Sequence, residues 1–424
     1  MNKSSVKTPD LRAGAAVHEH RLKNGLRVLI AERHDDPVVT VLLYYHVGSR
    51  HEAEHEAGMS HFLEHMMFKG STNFAKGEVD LSTTLLGGQN NAFTGKDHTG
   101  YWMRFASDRW ERALDIEADR MTGLTLDPAE FDAERQVVLE ELAMGQDDPW
   151  SVLAKRTEAA LFGRHPYGRP IIGFPESLLG MTPDDMRAYH ARFYQPANAT
   201  LVIAGDVNPK AALRKVRARF GSIPRGPEPR PAYAPALPEP AATRLELSWD
   251  DAGRRLCIAW PTVAVGTDAD YDLDLAAGLL TGGRGSRLVR RLVEDEGLAT
   301  SISASNDTRV DGGVFWVFAE CAQGTEPAAL EAAIDEELAR LAEERVPAAE
   351  LRRVRARIQS SDVAAGETVS DLAEELGGMA VDADWRLAFD GGVRHKKVTA
   401  ARLRRTVGEL LTPDRRVVAW SLPR

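Results

Sequence analysis

A chain of 424 residues is long for one ordinary domain and leads one to expect two or three compact units. Its 43% apolar and 27% charged residues are the mix of a soluble globular protein able to bury a large core. The net charge of −10, with acids and bases interspersed, argues against a nucleic-acid partner, which would call for a basic patch.

The first residues, Met1 to Val17, contain no continuous apolar run of the kind a secretory signal needs. Strands are predicted at Arg27–Arg33 and Val38–Val47. The latter is the longest apolar stretch and is about half the length of a membrane span, so no span is expected. A cytoplasmic location is the default reading, and a periplasmic one follows if a leader has been removed.

The segment Gly58–Ser71 has helical periodicity, because Met59, Phe62, Leu63, Met66 and Met67 fall on one stripe. His61 and His65 are four residues apart, so their imidazoles lie one turn apart on one face and can share one tetrahedral metal. Glu64 stands between them, beside a metal rather than on it, where a general base must be. The order HxxEH reverses the commoner HExxH and meets the same physical requirement.

A third ligand should be a carboxylate from another helix. Asp127–Glu130 (DPAE) combines an N-cap, a proline at the first helical position and a glutamate at N3, and the helix is predicted to run on to about Gly145. Glu134 and Glu141 are seven residues apart and are expected to share a half-apolar face with Val137 and Val138. A carboxylate there needs a partner, a metal or an arginine, and helix periodicity leaves both glutamates as candidates. Glu140 falls on the neighbouring, solvated face.

Beyond a further strand at Ala199–Val207, the stretch Pro224–Pro240 is too proline-rich for a helix or a central strand. It suggests a first domain over residues 1–223, a linker over 224–243 and a second domain over 244–424. Each half opens with strands, passes through helical patterns and closes with a strand. The expected fold class is therefore α+β, as two similar domains, each a mostly antiparallel sheet with helices packed on one face. Cys257 and Cys321 lie in apolar, strand-like surroundings and read as two buried free thiols. The glycines of Gly282–Ser286 could suggest a phosphate loop, but no GK follows them.

The chain resembles the pitrilysin-like (M16-type) zinc peptidases, the family that also holds insulin-degrading enzyme and the mitochondrial processing peptidase. The resemblance rests on HxxEH followed by Glu141, with 75 residues between His65 and it, in the run Glu134–Glu141. It implies one zinc per chain, held by His61, His65 and Glu141, and assigns Glu134 as a carboxylate that supports the site. Gly87–Trp102 resembles the family strand on which a substrate backbone pairs, and this makes Asn91, Ala92, Phe93 and Thr94 the candidate peptide-binding residues. His165, in a loop that also matches, reads as structural. Gly282–Ser301 matches the family signature in the second half, with one departure. Where active members carry an arginine and a tyrosine seven residues apart, this chain has Val293 and Thr300, and nearby Arg290 and Arg291 do not replace the tyrosine. The resemblance therefore implies a zinc endopeptidase acting on peptides in a chamber formed by two chains. The partner would be a homologous chain supplying the arginine–tyrosine pair, or otherwise a second copy. The alternative is a zinc-bearing subunit with little activity alone.

Overall fold

The computed structural model describes residues 16–226 and 235–424. Most of the N-terminal stretch read above for a signal, and residues 227–234 of the proline-rich linker, lie outside the described residues. Two compact units emerge. The first comprises Met1–Leu142, Pro170–Ala234 and Val363–Phe389, and the second Ala143–Arg169, Pro235–Asp362 and Asp390–Arg424.

The first unit holds a six-stranded sheet of β1 (Ala16–Arg21), β2 (Arg27–Glu32), β3 (Val38–Tyr45), β4 (Gln89–Thr94), β5 (Thr99–Ala106) and β6 (Ala199–Gly205). Its order is β1-β2-β6-β3-β5-β4, so among the described residues β4 is an edge strand paired only with β5. All pairings are antiparallel except β2 with β6. The central strands β3 and β6 are buried along nearly their whole length and, apart from Thr40, Thr200 and Gly205, consist of Val, Leu, Ile, Ala and Tyr, as two-sided burial demands.

The second unit holds β7 (Thr243–Trp249), β8 (Arg255–Pro261), β9 (Ala299–Asp307), β10 (Val314–Cys321) and β11 (Val417–Pro423), in the order β7-β11-β8-β10-β9. Only β7 and β11 run parallel. Strand for strand, this repeats β2-β6-β3-β5-β4 of the first sheet. Cys257 and Cys321 are buried free thiols on β8 and β10.

Both units are α+β with mostly antiparallel sheets. The helices that matter most for the site are α1 (Met59–Met66), α2 (Glu78–Leu85), α3 (Glu111–Thr122), α4 (Pro128–Met144) and α5 (Pro149–Phe162). One face of the first sheet carries α1, α3 and further helices in a continuous apolar core. The other face is covered by the helix Val369–Asp382, from the far end of the chain, through Leu372, Leu376 and Ala380. Gly377 makes that contact possible, since a Cβ there would lie 2.0 Å from the Tyr44 ring. Reciprocally, α5 from the first half covers one face of the second sheet through Leu153, Leu161 and Phe162. Each sheet thus has helices on both faces, and each borrows one from the other half of the chain. A division at the proline-rich stretch cannot express that exchange, because it depends on contacts between residues hundreds of positions apart. Among the described residues, no helix is long and apolar enough to cross a membrane.

Candidate metal centre

Helix α1 is short and sits on a buried carboxylate. Glu52 is fully buried and accepts hydrogen bonds from the Gly58 and Ser60 N–H groups at 3.0 and 2.8 Å, which satisfies donors a helix start leaves open. Gly58 has φ +96°, and a Cβ there would lie 2.6 Å from the Ile172 carbonyl, so only glycine fits this entry. Phe62, Leu63 and Met66 anchor the helix in the core, while His61, Glu64 and His65 stay half-buried on its other side. The helix ends at Met66, so the last predicted residues, Met67 to Ser71, form the turn that follows it.

Helix α4 starts as its sequence dictates. Asp127 Oδ1 accepts from the Ala129 and Glu130 N–H groups at 2.9 and 3.1 Å, with Pro128 at the first position. Its inward stripe is Phe131, Glu134, Val138 and Leu142. Val137, expected on the apolar face, is instead 47% exposed. One residue is 100° of helical turn, enough to move it off the stripe.

The two helices bring His61, His65 and Glu141 together, with one donor atom of each within 4.8 Å of the others. His61 Nε2 lies 3.7 Å from Glu141 Oε1, and His65 Nε2 lies 3.6 Å from Glu141 Oε2. These gaps are too long for hydrogen bonds. They are close to the spacing of about 3.4 Å expected between ligand atoms on one tetrahedral centre with bonds of roughly 2.0–2.2 Å. Two imidazoles and a carboxylate are a donor set that suits zinc. Burial, helped by the neighbouring His65, lowers the His61 pKa to about 4, so the ring is neutral at pH 7 and one of its nitrogens has a free lone pair.

Glu134 lies behind His65. Its Oε1 is 2.9 Å from His65 Nδ1, and its Oε2 is 2.5 Å from Lys69 Nζ. Burial pushes the Glu134 carboxyl up, but the hydrogen bonds from Lys69 and His65 outweigh it and hold the carboxyl below its usual range. A carboxylate on Nδ1 fixes the tautomer that leaves Nε2 free to face Glu141. Lys69 was not singled out from sequence, although its spacing was a usable signal, four residues beyond His65 and eight beyond His61. Glu140 is exposed.

Glu64 is held from the sheet. Thr94 Oγ1 donates to its Oε2 at 2.5 Å. Burial raises the Glu64 pKa, while the Thr94 hydrogen bond and His65 oppose the rise. Asn91, Ala92, Phe93 and Thr94 all lie on the edge strand β4. The Phe93 ring turns inward against Tyr44, with centroids 5.7 Å apart. His165 is buried and its Nδ1 accepts from the Tyr167 N–H at 3.2 Å, capping a turn of the second unit.

Two family models match in succession, the insulinase model of peptidase family M16 over residues 27–174 and the peptidase M16 inactive domain over residues 180–358. An uncharacterized zinc protease of Mycobacterium leprae is 32% identical over 365 residues, covering 86% of this chain and 82% of its own. This chain belongs to the M16 peptidase family. An uncharacterized zinc protease of Bacillus subtilis, 30% identical over 302 residues, covers 71% of this chain and 73% of its own. The crystal structure of a protease from Helicobacter pylori superposes with a TM-score of 0.91 at 26% identity, covering 96% of this chain and 99% of that one. The first M16 model spans HxxEH and Glu141, and the second spans Val293 and Thr300.

Proposed function

We propose that this chain is a zinc endopeptidase that cleaves peptides or unfolded segments inside a chamber closed by two chains, with Glu64 as the general base. The observation that carries the reading is the convergence of His61, His65 and Glu141 within 4.8 Å, with Glu64 beside them on the same helix. His61 Nε2, His65 Nε2 and a Glu141 oxygen would hold one zinc per chain. When bound, the metal supplies Lewis acidity toward the peptide carbonyl and toward water.

Glu64 takes the proton from the attacking water as its oxygen bonds to the carbonyl carbon. It then passes that proton to the amine nitrogen as the C–N bond breaks. Glu134 keeps His65 in the tautomer and orientation a ligand needs. The substrate backbone adds to the open edge of β4. Gly95 N–H bonds to the His98 carbonyl, and strand alternation then points the backbone groups of Ala92 and Thr94 away from β5. The Ala92 N–H meets its own neighbour, Asn91 Oδ1, at 2.9 Å, which agrees with its lying outside the ladder. The Asn91–Thr94 stretch is thus a strand end that a peptide can extend.

A second reading is a zinc-bearing subunit that binds peptide but turns over little by itself. It is favoured by the second unit. There the Thr300 hydroxyl donates to the Glu320 carbonyl at 3.4 Å and Val293 packs against apolar neighbours, so neither offers the missing arginine or tyrosine. A homologous partner carrying that pair would complete the enzyme.

Cleavage of a quenched-fluorescent peptide pool by the zinc-loaded chain separates these possibilities. The expected result is cleavage that a chelator abolishes and that Glu64→Gln lowers by roughly 10²–10⁴-fold with zinc retained. Turnover indifferent to both would overturn the endopeptidase reading.

A further inference from the structure

The contact between Thr94 and Glu64 ties the metal-site helix to the edge strand packed beside it. Glu64 is on α1 and Thr94 is the last residue of β4, 30 positions later. Side chains alternate across a strand, so Thr94 and Ala92 point to the α1 side of the sheet, where Ala92 packs against the core, while Phe93 points to the other side. Thr94 is therefore fixed twice, by its strand and by its hydroxyl.

Its backbone is pinned as well. The following residue, Gly95, donates its N–H to His98 at 2.8 Å and accepts from Ser49 N–H at 3.2 Å, and the preceding residue, Phe93, is wedged against Tyr44 and His98. As a β-branched residue, threonine has a stiff χ1, so the direction of Oγ1 follows from the backbone. Glu64 Oε2 accepts that hydroxyl, and among the described residues Oε1 has no hydrogen-bond partner. One oxygen of the carboxylate is thus held and the other is available.

We infer that Thr94 is the positioning residue for the base, its hydroxyl fixing Glu64 Oε2 so that Oε1 faces the water while its backbone edge receives the peptide. Docking and base orientation are then set by one residue. A strand added to β4 is registered against the same atom group that aims the carboxylate, so the scissile carbonyl and the proton acceptor share one ruler. This rests on the endopeptidase reading and adds to it a coupling between the edge strand and the base.

The test uses Thr94→Val, which keeps the shape and removes the hydroxyl, and Thr94→Ser, which restores it. Both are made in the full chain loaded with zinc. In Thr94→Val, kcat should fall about tenfold to a hundredfold, the cost typical of a misaligned reacting group, with KM within about twofold and zinc content unchanged. Thr94→Ser should recover most of kcat. A merely structural threonine would move stability or KM and would not be rescued in this way. Crystal structures of the zinc-loaded proteins give a readout independent of turnover. The Glu64 carboxylate should keep one position in the parent and Thr94→Ser, and be displaced or spread over several positions in Thr94→Val. An undisturbed Glu64 together with a parental kcat in Thr94→Val would overturn the inference. If the parent shows no chelator-sensitive cleavage, the endopeptidase reading fails by itself, and the position of Glu64 alone then decides the role of Thr94.

Discussion

The two units share a strand order and differ in what they place after their second matching strand. In the first, β3 leads to α1, whose His61, Glu64 and His65 remain half-buried beside the open edge strand β4. In the second, β8 leads to the helix Asp268–Thr281, which buries Leu273, Leu275, Ala276, Leu279 and Leu280 almost completely. The acids of that helix are already engaged. Asp272 is bound by Arg402 and Thr406, both at 2.8 Å, and Asp270 by Asn306 and Gly266, also at 2.8 Å. One scaffold therefore supports two uses. A short helix with a polar side next to a free sheet edge can do chemistry, and a longer apolar one stabilises its unit.

The sharpest way to break this comparison is to ask which unit holds metal. His61→Ala or His65→Ala should abolish stoichiometric zinc, because each removes one of the three proposed protein ligands. In the second unit His395 Nε2 lies 3.0 Å from Asp274, yet among the described residues no third ligand joins them, and His395→Ala should leave zinc at one per chain. Metal analysis of the purified proteins decides the matter, and parental zinc in both α1 variants would sink the assignment.

Next in size is the contribution of a partner. A developing oxyanion needs a donor, and losing one typically costs about 10²–10³ in rate. Thr300 is too short to replace a phenol from the same strand, and Val293 carries no charge. Mixing this chain with a homologue that keeps the arginine–tyrosine pair should raise turnover by about that factor. Mutation of the partner's tyrosine should abolish the gain, whereas Thr300→Ala here should change little. Full turnover of the isolated chain, with no stimulation, would instead identify a self-sufficient homodimer.

A smaller effect is expected behind the ligands. Glu134→Gln should weaken zinc binding by about 10–100-fold, the usual cost of losing a carboxylate that orients a ligand histidine. Glu140→Gln, one residue from Glu141 but turned about 100° around the helix and outside the donor cluster, should have no measurable effect on zinc affinity in a competition titration. The reverse ranking would mean that the facing of α4 is wrong.

How much of this could be read in advance follows the range of the interactions. His61, Glu64 and His65 are fixed by spacing within one helical turn, and the start of α4 by Asp127 and Pro128, so local pattern suffices. Val137 departs from the expected face because α4 has exposed and buried residues too evenly mixed for periodicity to orient it. The contact of Thr94 with Glu64 and that of Tyr44 with Gly377 depend on tertiary packing alone, and no periodicity reports them. The same is true of the exchanged helices α5 and Val369–Asp382. Lys69 lies between these cases, since its spacing was visible but its partner Glu134 is on another helix.

The finest distinction between the units is their response to acid. In the first, His190 is buried with Nε2 3.1 Å from the Arg120 carbonyl, and burial lowers its pKa to about 4. The unfolded chain, with an ordinary histidine near 6.5, binds the proton more tightly, so the stability tied to neutral His190 is present above that value and is lost as pH falls toward 4. In the second unit, burial, with Asp274 adding repulsion, raises Asp270 to about 6 from an ordinary 3.8. Here the folded state binds the proton more tightly. Stability is greatest below 3.8 and declines as pH rises toward 6. Each group should contribute about 1 kcal/mol per pH unit inside its window. Other buried acids titrate in both units, so the clean comparison is variant against parent. Relative to the parent, His190→Gln should gain stability in the first unit as pH is lowered from 6.5. Asp270→Asn should gain in the second as pH is raised from 4. Hydrogen exchange followed by mass spectrometry, corrected for the intrinsic pH dependence, resolves the two through peptides covering Pro183–Phe193 and Asp268–Thr281. A gain that grows in the same pH direction for both variants would show that burial does not control these groups, and that the units answer acid through charges shared across the whole chain.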